Sequence, residues 1–183
     1  VTQTFLVFHR YWAMPSRDTF DIPLIGNFVQ KYLQQSKVSV DPFARNKRWA
    51  THTNDLNPTT EAEHHMDAFD FLQLLGQLGV MVDLIIFDPP YSPNQLVEQY
   101  NSIDKAVRGN HYTYHSRMVK RWKDAANELL LHGGIVLTFG WNSNGFGKTR
   151  GFDIIEGMII AHGGAHNDTI CMAERKTQEE VKP

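Results

Sequence analysis

The hydrophobic pattern switches repeatedly between a helical period and short apolar runs. Over 20–35, "FDIPLIGNFVQKYLQQ", the residues Ile25, Phe28, Val29, Tyr32 and Leu33 recur at helical spacing. "KVSVDPF" (37–43) predicts a short strand ending at an acid, Asp41, and "WATHTND" (49–55) a second strand ending at Asp55. Residues 62–79 contain a helix broken near Gly76 and Gly79. Val82, Leu84, Ile85, Ile86 and Phe87, interrupted only by Asp83, read as a buried strand. Residues 114–134 predict a long helix with Met118, Trp122, Ala125 and Leu129 on one side and a Gly133-Gly134 stop. "GIVLTFGW" (134–141) is another buried strand, and 151–176 gives two strands joined by a glycine-rich turn. The tail 177–183 is polar and expected to fray.

Alternating strands and helices of this kind imply an α/β domain with a mostly parallel sheet, helices on both faces and a terminal antiparallel hairpin. The length, 183 residues, suits one domain spanning 1–183 with no separate target-recognition domain. In such sheets ligands bind outside the carboxyl ends of the strands. That rule puts Asp41, Asp55, Asp88 and Trp141 along one functional edge.

Composition adds exclusions. Hydrophobic residues make up 42% and charged residues 21%, which excludes a disordered chain. No apolar run is long enough for a bilayer span, and the opening "VTQTFLVFHRYWAMPSR" holds a short apolar patch without a signal-peptide pattern. Cys171 is the one cysteine, so no internal disulfide and no cysteine-rich zinc module can form, and a cytoplasmic location is expected. The net charge of −2 is unevenly placed. Thr51 to Asp88 carries seven acids and no Lys or Arg, whereas Asn101 to Asp124 carries six bases against two acids. The basic stretch is either a solvated helix face or a phosphate-neutralising surface.

The strand 82–87 stops at Asp88-Pro89-Pro90-Tyr91. Two prolines fix two φ angles and remove two N–H donors, so the loop is stiff. The Asp88 carboxylate and the Pro89 carbonyl then form a rigid pair of acceptors matched to the two donors of a flat NH₂ group. Tyr91 offers a face on which a flat ring can stack. The stretch reads as a clamp for an exocyclic amine on an aromatic base.

Asp88-Pro89-Pro90-Tyr91 resembles the DPPY motif of S-adenosylmethionine-dependent amino methyltransferases, above all the DNA adenine-N6 family, whose fold is the Rossmann-like class I methyltransferase fold. The likeness extends over 18–176. Asp41-Pro42-Phe43-Ala44 resembles the family's Asp-Pro-Phe-x-Gly-x-Gly strand end, which meets the cofactor. By the same resemblance Asp55 is the acid that holds the cofactor's ribose hydroxyls. "MDAFDFL" (66–72) is similar to the segment that places an acid, Asp67, with Ala68, near the adenine ring. "DTFDIPLIGNFVQKYL" (18–33) is similar to the segment closing over the methionine end, with Thr19 and Phe20 nearest. The implied activity is methyl transfer from S-adenosylmethionine to adenine N6 in DNA. The base would leave its stack, Tyr91 would stack on it, and Asp88 with the Pro89 carbonyl would rotate the amine lone pair toward the methyl group and stabilise the developing charge. A small adenine methylase of this kind fits a phage or mobile element.

Two departures from the pattern stand out. The glycines after Phe43 are missing; "ARNKRW" (44–49) brings Arg45, Lys47 and Arg48 where backbone must approach the ligand closely. Side chains there either fill the pocket or send the loop elsewhere. No segment of these residues is long enough for the separate target-recognition domain of the family's sequence-specific members. Nucleic-acid contacts then fall on the long polar loop 92–116 and the helix after it. Arg108, Tyr112, Arg117 and Lys120 interleave rings with positive charge there, and Trp141-Asn142 lines the base pocket or packs in the core.

Other readings stay open. An RNA base amine is an alternative substrate. A cofactor-free, methyltransferase-like subunit that presents nucleic acid to a partner subunit, or a homodimer, is an alternative to an enzyme. Asp88 argues against N4-cytosine and glutamine methylation, because the related enzymes usually carry Ser and Asn there. His162, His166 and Asp168 in "AHGGAHND" have the chemistry of metal ligands, but Gly163-Gly164 breaks their spacing, and no metal is expected.

Overall fold

A computed structural model describes residues 6–101, 103, 111–164 and 166–177. Seven strands form one sheet: β1 (Val7–Trp12), β2 (Ser39–Asp41), β3 (His52–Thr53), β4 (Val82–Phe87), β5 (Leu130–Gly140), β6 (Phe152–Ala161) and β7 (Thr169–Lys176). Their order across the sheet is β1-β6-β7-β5-β4-β2-β3. β4 runs parallel to β2 and β5, β2 parallel to β3, and β1 parallel to β6. β7 is inserted between β5 and β6 and is antiparallel to both.

Helices cover both faces. On one face α1 (Pro23–Leu33) lays Ile25, Phe28, Val29 and Tyr32 against Leu84 and Ile86 of β4, Leu137 and Phe139 of β5, and Cys171 and Ala173 of β7. On the other, α2 (Ala68–Gln77), α3 (Pro93–Asn101) and α4 (His111–Leu129) pack Phe71, Leu72, Leu96, Met118 and Trp122 against Val82, Ile85 and Phe87. β4 is thus apolar on both sides, which is why its sequence is a run rather than an alternation. α1 sits tightly on a 3-10 turn over Thr19–Asp21: a Cβ at Gly26 would stand 2.9 Å from the Phe20 carbonyl oxygen.

Several elements differ from the expected ones. β1 arises from the N-terminal apolar patch; every one of its residues is exposed, so no alternation marks it. The strand expected over 49–55 is reduced to His52–Thr53. α2 runs through Gly76, and the long helix begins at His111 and stops at Leu129, where β5 starts at once. The stretch 92–116, expected as a loop, contains α3. Pro93 occupies its first position, where a missing N–H costs nothing, and the Ser92 hydroxyl accepts the Gln95 N–H at 3.3 Å.

The approach to β4 depends on Asp83. Its carboxylate accepts the Ser36 hydroxyl and the N–H groups of Lys37 (2.9 Å) and Val38 (3.3 Å). Burial alone would raise its pKa, but these bonds outweigh it and hold the group below 3.8. A depressed folded-state pKa contributes stability above the unfolded value, lost as pH falls through the folded one. Asp83→Ala is therefore expected to cost about 1–2 kcal/mol at neutral pH. In urea titrations the difference from wild type should shrink once pH drops below 3.8.

Candidate active site

The carboxyl ends of β2, β3 and β4 open on one cavity of about 700 Å³, within the range of about 300–1,000 Å³ typical of ligand pockets. Its wall includes Thr19, Pro42, Phe43, Asp55, Ala68, Asp88, Pro89, Pro90 and Tyr91. Nine residues singled out in the sequence, spread from Thr19 to Tyr91, are thus brought to one space. Phe20, Asp41 and Asp67 lie behind that wall. Phe20 is core, stacked on Trp49 and edge-on to Phe139. Asp41 is buried and turns the chain out of β2 by accepting the Phe43 N–H at 3.0 Å. Asp67 caps α2 through the Phe69 N–H (2.8 Å) and accepts from the Tyr100 hydroxyl and the Trp122 indole N–H (3.4 Å).

Three side chains missed in the sequence shape this end of the sheet. Asn54, fully buried, donates to the Pro42 and Met66 carbonyls and accepts the Met66 N–H, stitching together the loops after β2 and β3. The Gln95 side chain on α3 accepts the Tyr91 N–H at 2.7 Å. His115 on α4 lies 2.8 Å from the Pro90 carbonyl through Nε2. The clamp loop is therefore held from both α3 and α4.

The glycine-less loop keeps a glycine's path. Arg45 occupies the position of the first missing glycine and takes φ +50°, the one non-glycine among the described residues with positive φ. Such a residue costs of order 1 kcal/mol of backbone strain. Its N–H donates to Asp55 Oδ2 at 3.1 Å, and the Asn57 N–H donates to Oδ1 at 2.8 Å. The cationic side chains reach across to the segment before α1. Arg45 donates to the Arg17 carbonyl at 3.0 Å and pairs with Asp18; Lys47 pairs with Asp21 at 2.6 Å.

Within the clamp, the Tyr91 hydroxyl donates to Asp88 Oδ1 and lies 3.1 Å from the Thr19 hydroxyl. Burial raises the Asp88 pKa to about 6, against the lowering effect of hydrogen bonds from Tyr91 and Thr19. Burial beside Asp88 likewise pushes the Tyr91 phenol well above its ordinary value. Asp55 is raised by burial in spite of its two N–H donors, and Asp41 is raised further, by burial and by the charges of Asp88 and Asp55. Burial thus disfavours the charged form of each of these three carboxyl groups, and a cation in the cavity would favour it.

Of the proposed nucleic-acid residues, Tyr112, Arg117, Lys120, Trp141 and Asn142 are not part of the cavity wall. Trp141, 43% exposed, meets Tyr91 edge-on at 5.8 Å, so it is no core residue. Asn142 accepts the Asn144 N–H in a surface turn. Tyr112, Arg117 and Lys120 are exposed on α4, and Arg108 lies outside the described residues. In the histidine cluster His162 is buried, whereas His166 and Asp168 are exposed. The His162 ring meets the Ala13 carbonyl through Nδ1 and the Thr169 hydroxyl through Nε2. Among the described residues no helix is long and apolar enough to cross a membrane.

The fold is that of class I methyltransferases. TrmN from Thermus thermophilus superimposes with a TM-score of 0.56 at 13% identity, over 85% of this chain and 49% of that one. NSun6 from Pyrococcus horikoshii, solved with SFG, gives 0.54 at 14% identity, over 81% and 50%. The methyltransferase candidate yhhF from Escherichia coli gives 0.53 at 11% identity, over 91% and 92%. The chain spans about half the length of TrmN and NSun6. No protein-family model and no curated protein sequence matches it.

Proposed function

We propose that this domain transfers a methyl group from S-adenosylmethionine to the N6 amine of adenine in DNA. The observation that carries the reading is contiguity: Asp88 and Tyr91 of the amine clamp line the same cavity as Asp55, Phe43 and Ala68.

The residues present fit the cofactor. A carboxylate has about four lone-pair sites, and Asp55 has two N–H donors on it, which leaves capacity for a ribose diol. Phe43, Leu56 and Ala68 supply apolar wall for an adenine ring. Asp55 and Asp88, both on the cavity wall, favour a ligand with a positive centre. SFG, carried by the NSun6 structure, is an S-adenosylmethionine analogue. When bound, S-adenosylmethionine supplies an electrophilic methyl group on a cationic sulfur.

The chain's own residues do the rest. The Asp88 carboxylate, with Oδ1 on Tyr91, accepts a hydrogen from the target amine at its other oxygen, and the Pro89 carbonyl accepts the second. Both acceptors localise the nitrogen lone pair and stabilise the positive charge that grows there. Asp88, with a pKa near 6, then takes the departing proton. Tyr91 and the exposed Trp141 offer rings against an extruded base, and the α4 cations meet its phosphates.

The test is transfer of labelled methyl groups to DNA duplexes, single strands and matching RNA, each with adenine or with hypoxanthine in its place. Label in adenine-containing DNA, recovered as N6-methyladenine, is the expected result. Label in RNA alone would move the substrate to an RNA base amine. A folded protein that binds oligonucleotides but neither cofactor nor label would make the domain a nucleic-acid-binding subunit.

A further inference from the structure

We propose that Arg45 is a positioning residue that couples the Asp55 side of the cavity to the Asp88–Tyr91 clamp through the segment Arg17–Thr19; this rests on the methyltransferase reading above.

The contacts form an unbroken path. The Arg45 N–H holds Asp55 at 3.1 Å, and its guanidinium holds the Arg17 carbonyl at 3.0 Å and the Asp18 carboxylate. The next residue, Thr19, meets the Tyr91 hydroxyl at 3.1 Å, and that hydroxyl sits on Asp88. Asp55 and Asp88 follow different strands, and Arg45, which lines the cavity, bonds to the first and reaches the second through the segment Arg17–Thr19 and Tyr91.

The side chain, rather than the turn, is what this position keeps. Glycine would hold φ +50° without strain and still donate the N–H to Asp55, but would lose both contacts to 17–18. The Lys47–Asp21 pair ties the same segment beyond Thr19 and so cannot replace the hold on Asp18. Arg45 also lowers the pKa of Asp88 and, together with His65, that of Asp55. The other groups facing Asp88 are Tyr91, Thr19 and Asp18, with Asp41 from β2 and Cys171 from β7. Among these, Arg45 is the one positive charge. A change at the Asp55 side that moves Arg45 is thereby felt at the clamp as both geometry and charge.

Three measurements on wild type, Arg45→Gly and Arg45→Lys test this. The first is the Asp88 carboxyl titration by ¹³C NMR in cofactor-free protein. The second is calorimetric affinity for S-adenosylhomocysteine. The third is the single-turnover transfer rate against pH at saturating S-adenosylmethionine. Arg45→Gly should raise the Asp88 midpoint by about half a pH unit, as expected for loss of a nearby cation. Affinity should weaken by no more than about threefold and the rate fall about tenfold, the split expected of a group acting through the clamp. The acidic limb of the rate profile should move up with the midpoint, and Arg45→Lys should return both toward wild type. An unchanged midpoint with an unchanged rate overturns the coupling. So does a large loss of affinity with the saturated rate intact, which would make Arg45 part of the cofactor pocket alone. A wild type that neither binds S-adenosylhomocysteine nor transfers methyl groups overturns the functional reading instead; the Asp88 midpoint in Arg45→Gly then still decides whether Arg45 acts on the clamp.

Discussion

Asp88→Asn is expected to slow methyl transfer about 10³-fold, the scale set by removing one group that stabilises transition-state charge, while making the protein more stable. The amide keeps the shape and can still accept the Tyr91 hydroxyl, but it carries no charge to offset the nitrogen's. The stability gain follows from the raised pKa. The Asp88 carboxyl titrates near 6 when folded against 3.8 as a reference. Protonation therefore favours the folded state: the fold is unburdened below 3.8 and loses stability as pH rises through about 6. At pH 8 the wild type carries the full penalty of a buried charge, and the neutral variant escapes about 1–3 kcal/mol of it. Thermal melts should show Asp88→Asn several degrees above wild type at pH 8 and level with it near pH 4. Wild-type turnover should fall on the acid side with a midpoint below about 6, because the cationic cofactor favours the Asp88 carboxylate. A variant that loses both stability and activity would make Asp88 a structural carboxylate and remove it from the chemistry.

The parts of this architecture that sequence made legible are those with a local cause. β4 was readable because both of its faces are buried, leaving no polar positions except Asp83, which serves the chain before β2. α1 and α4 were readable because each buries one stripe. β1 was not, because a strand with neither face covered imposes no pattern on its side chains. α3 has a legible start in Ser92-Pro93, but its polar composition and the prolines before it are equally those of a stiff loop. At the site, Asp55, Asp88 and Tyr91 were findable because strand ends converge by rule. The routes taken by Arg45 and Lys47 were not, since a side chain's partner across 26 or 27 positions leaves no trace in spacing. Nor could spacing tell that Asp67 and Asp41 serve a helix cap and a turn. The buried Glu174 is a further case. It accepts the Phe146 and Gly147 N–H groups, and a Cβ at Gly145 (φ +47°) would collide with its carboxylate, so Glu174 anchors the loop 144–148 across the chain.

Asp55→Ala is expected to weaken S-adenosylhomocysteine binding about 100-fold, roughly 2.7 kcal/mol, less than two full charge-assisted hydrogen bonds of about 1.5–3 kcal/mol each. The loss has two possible sources that one titration cannot separate. Asp55 faces the cavity, but its oxygens also hold the N–H groups of Arg45 and Asn57. If Asp55 grips a ribose diol, the variant's loss should nearly vanish for an analogue lacking both ribose hydroxyls, because that ligand has already forfeited the contacts. If Asp55 only shapes the turn, the variant should weaken both ligands equally and also destabilise the empty protein. Asp55→Asn sharpens the distinction, since an amide oxygen can keep one N–H but its NH₂ cannot accept the other. Burial raises the Asp55 pKa, so wild-type affinity should begin to fall at a higher pH than an exposed carboxylate would cause, and the alanine variant should lose that dependence. Equal losses for both ligands would move the cofactor's ribose away from β3 and leave the cavity's apolar wall, Phe43 and Ala68, as the better guide to where the adenosine lies.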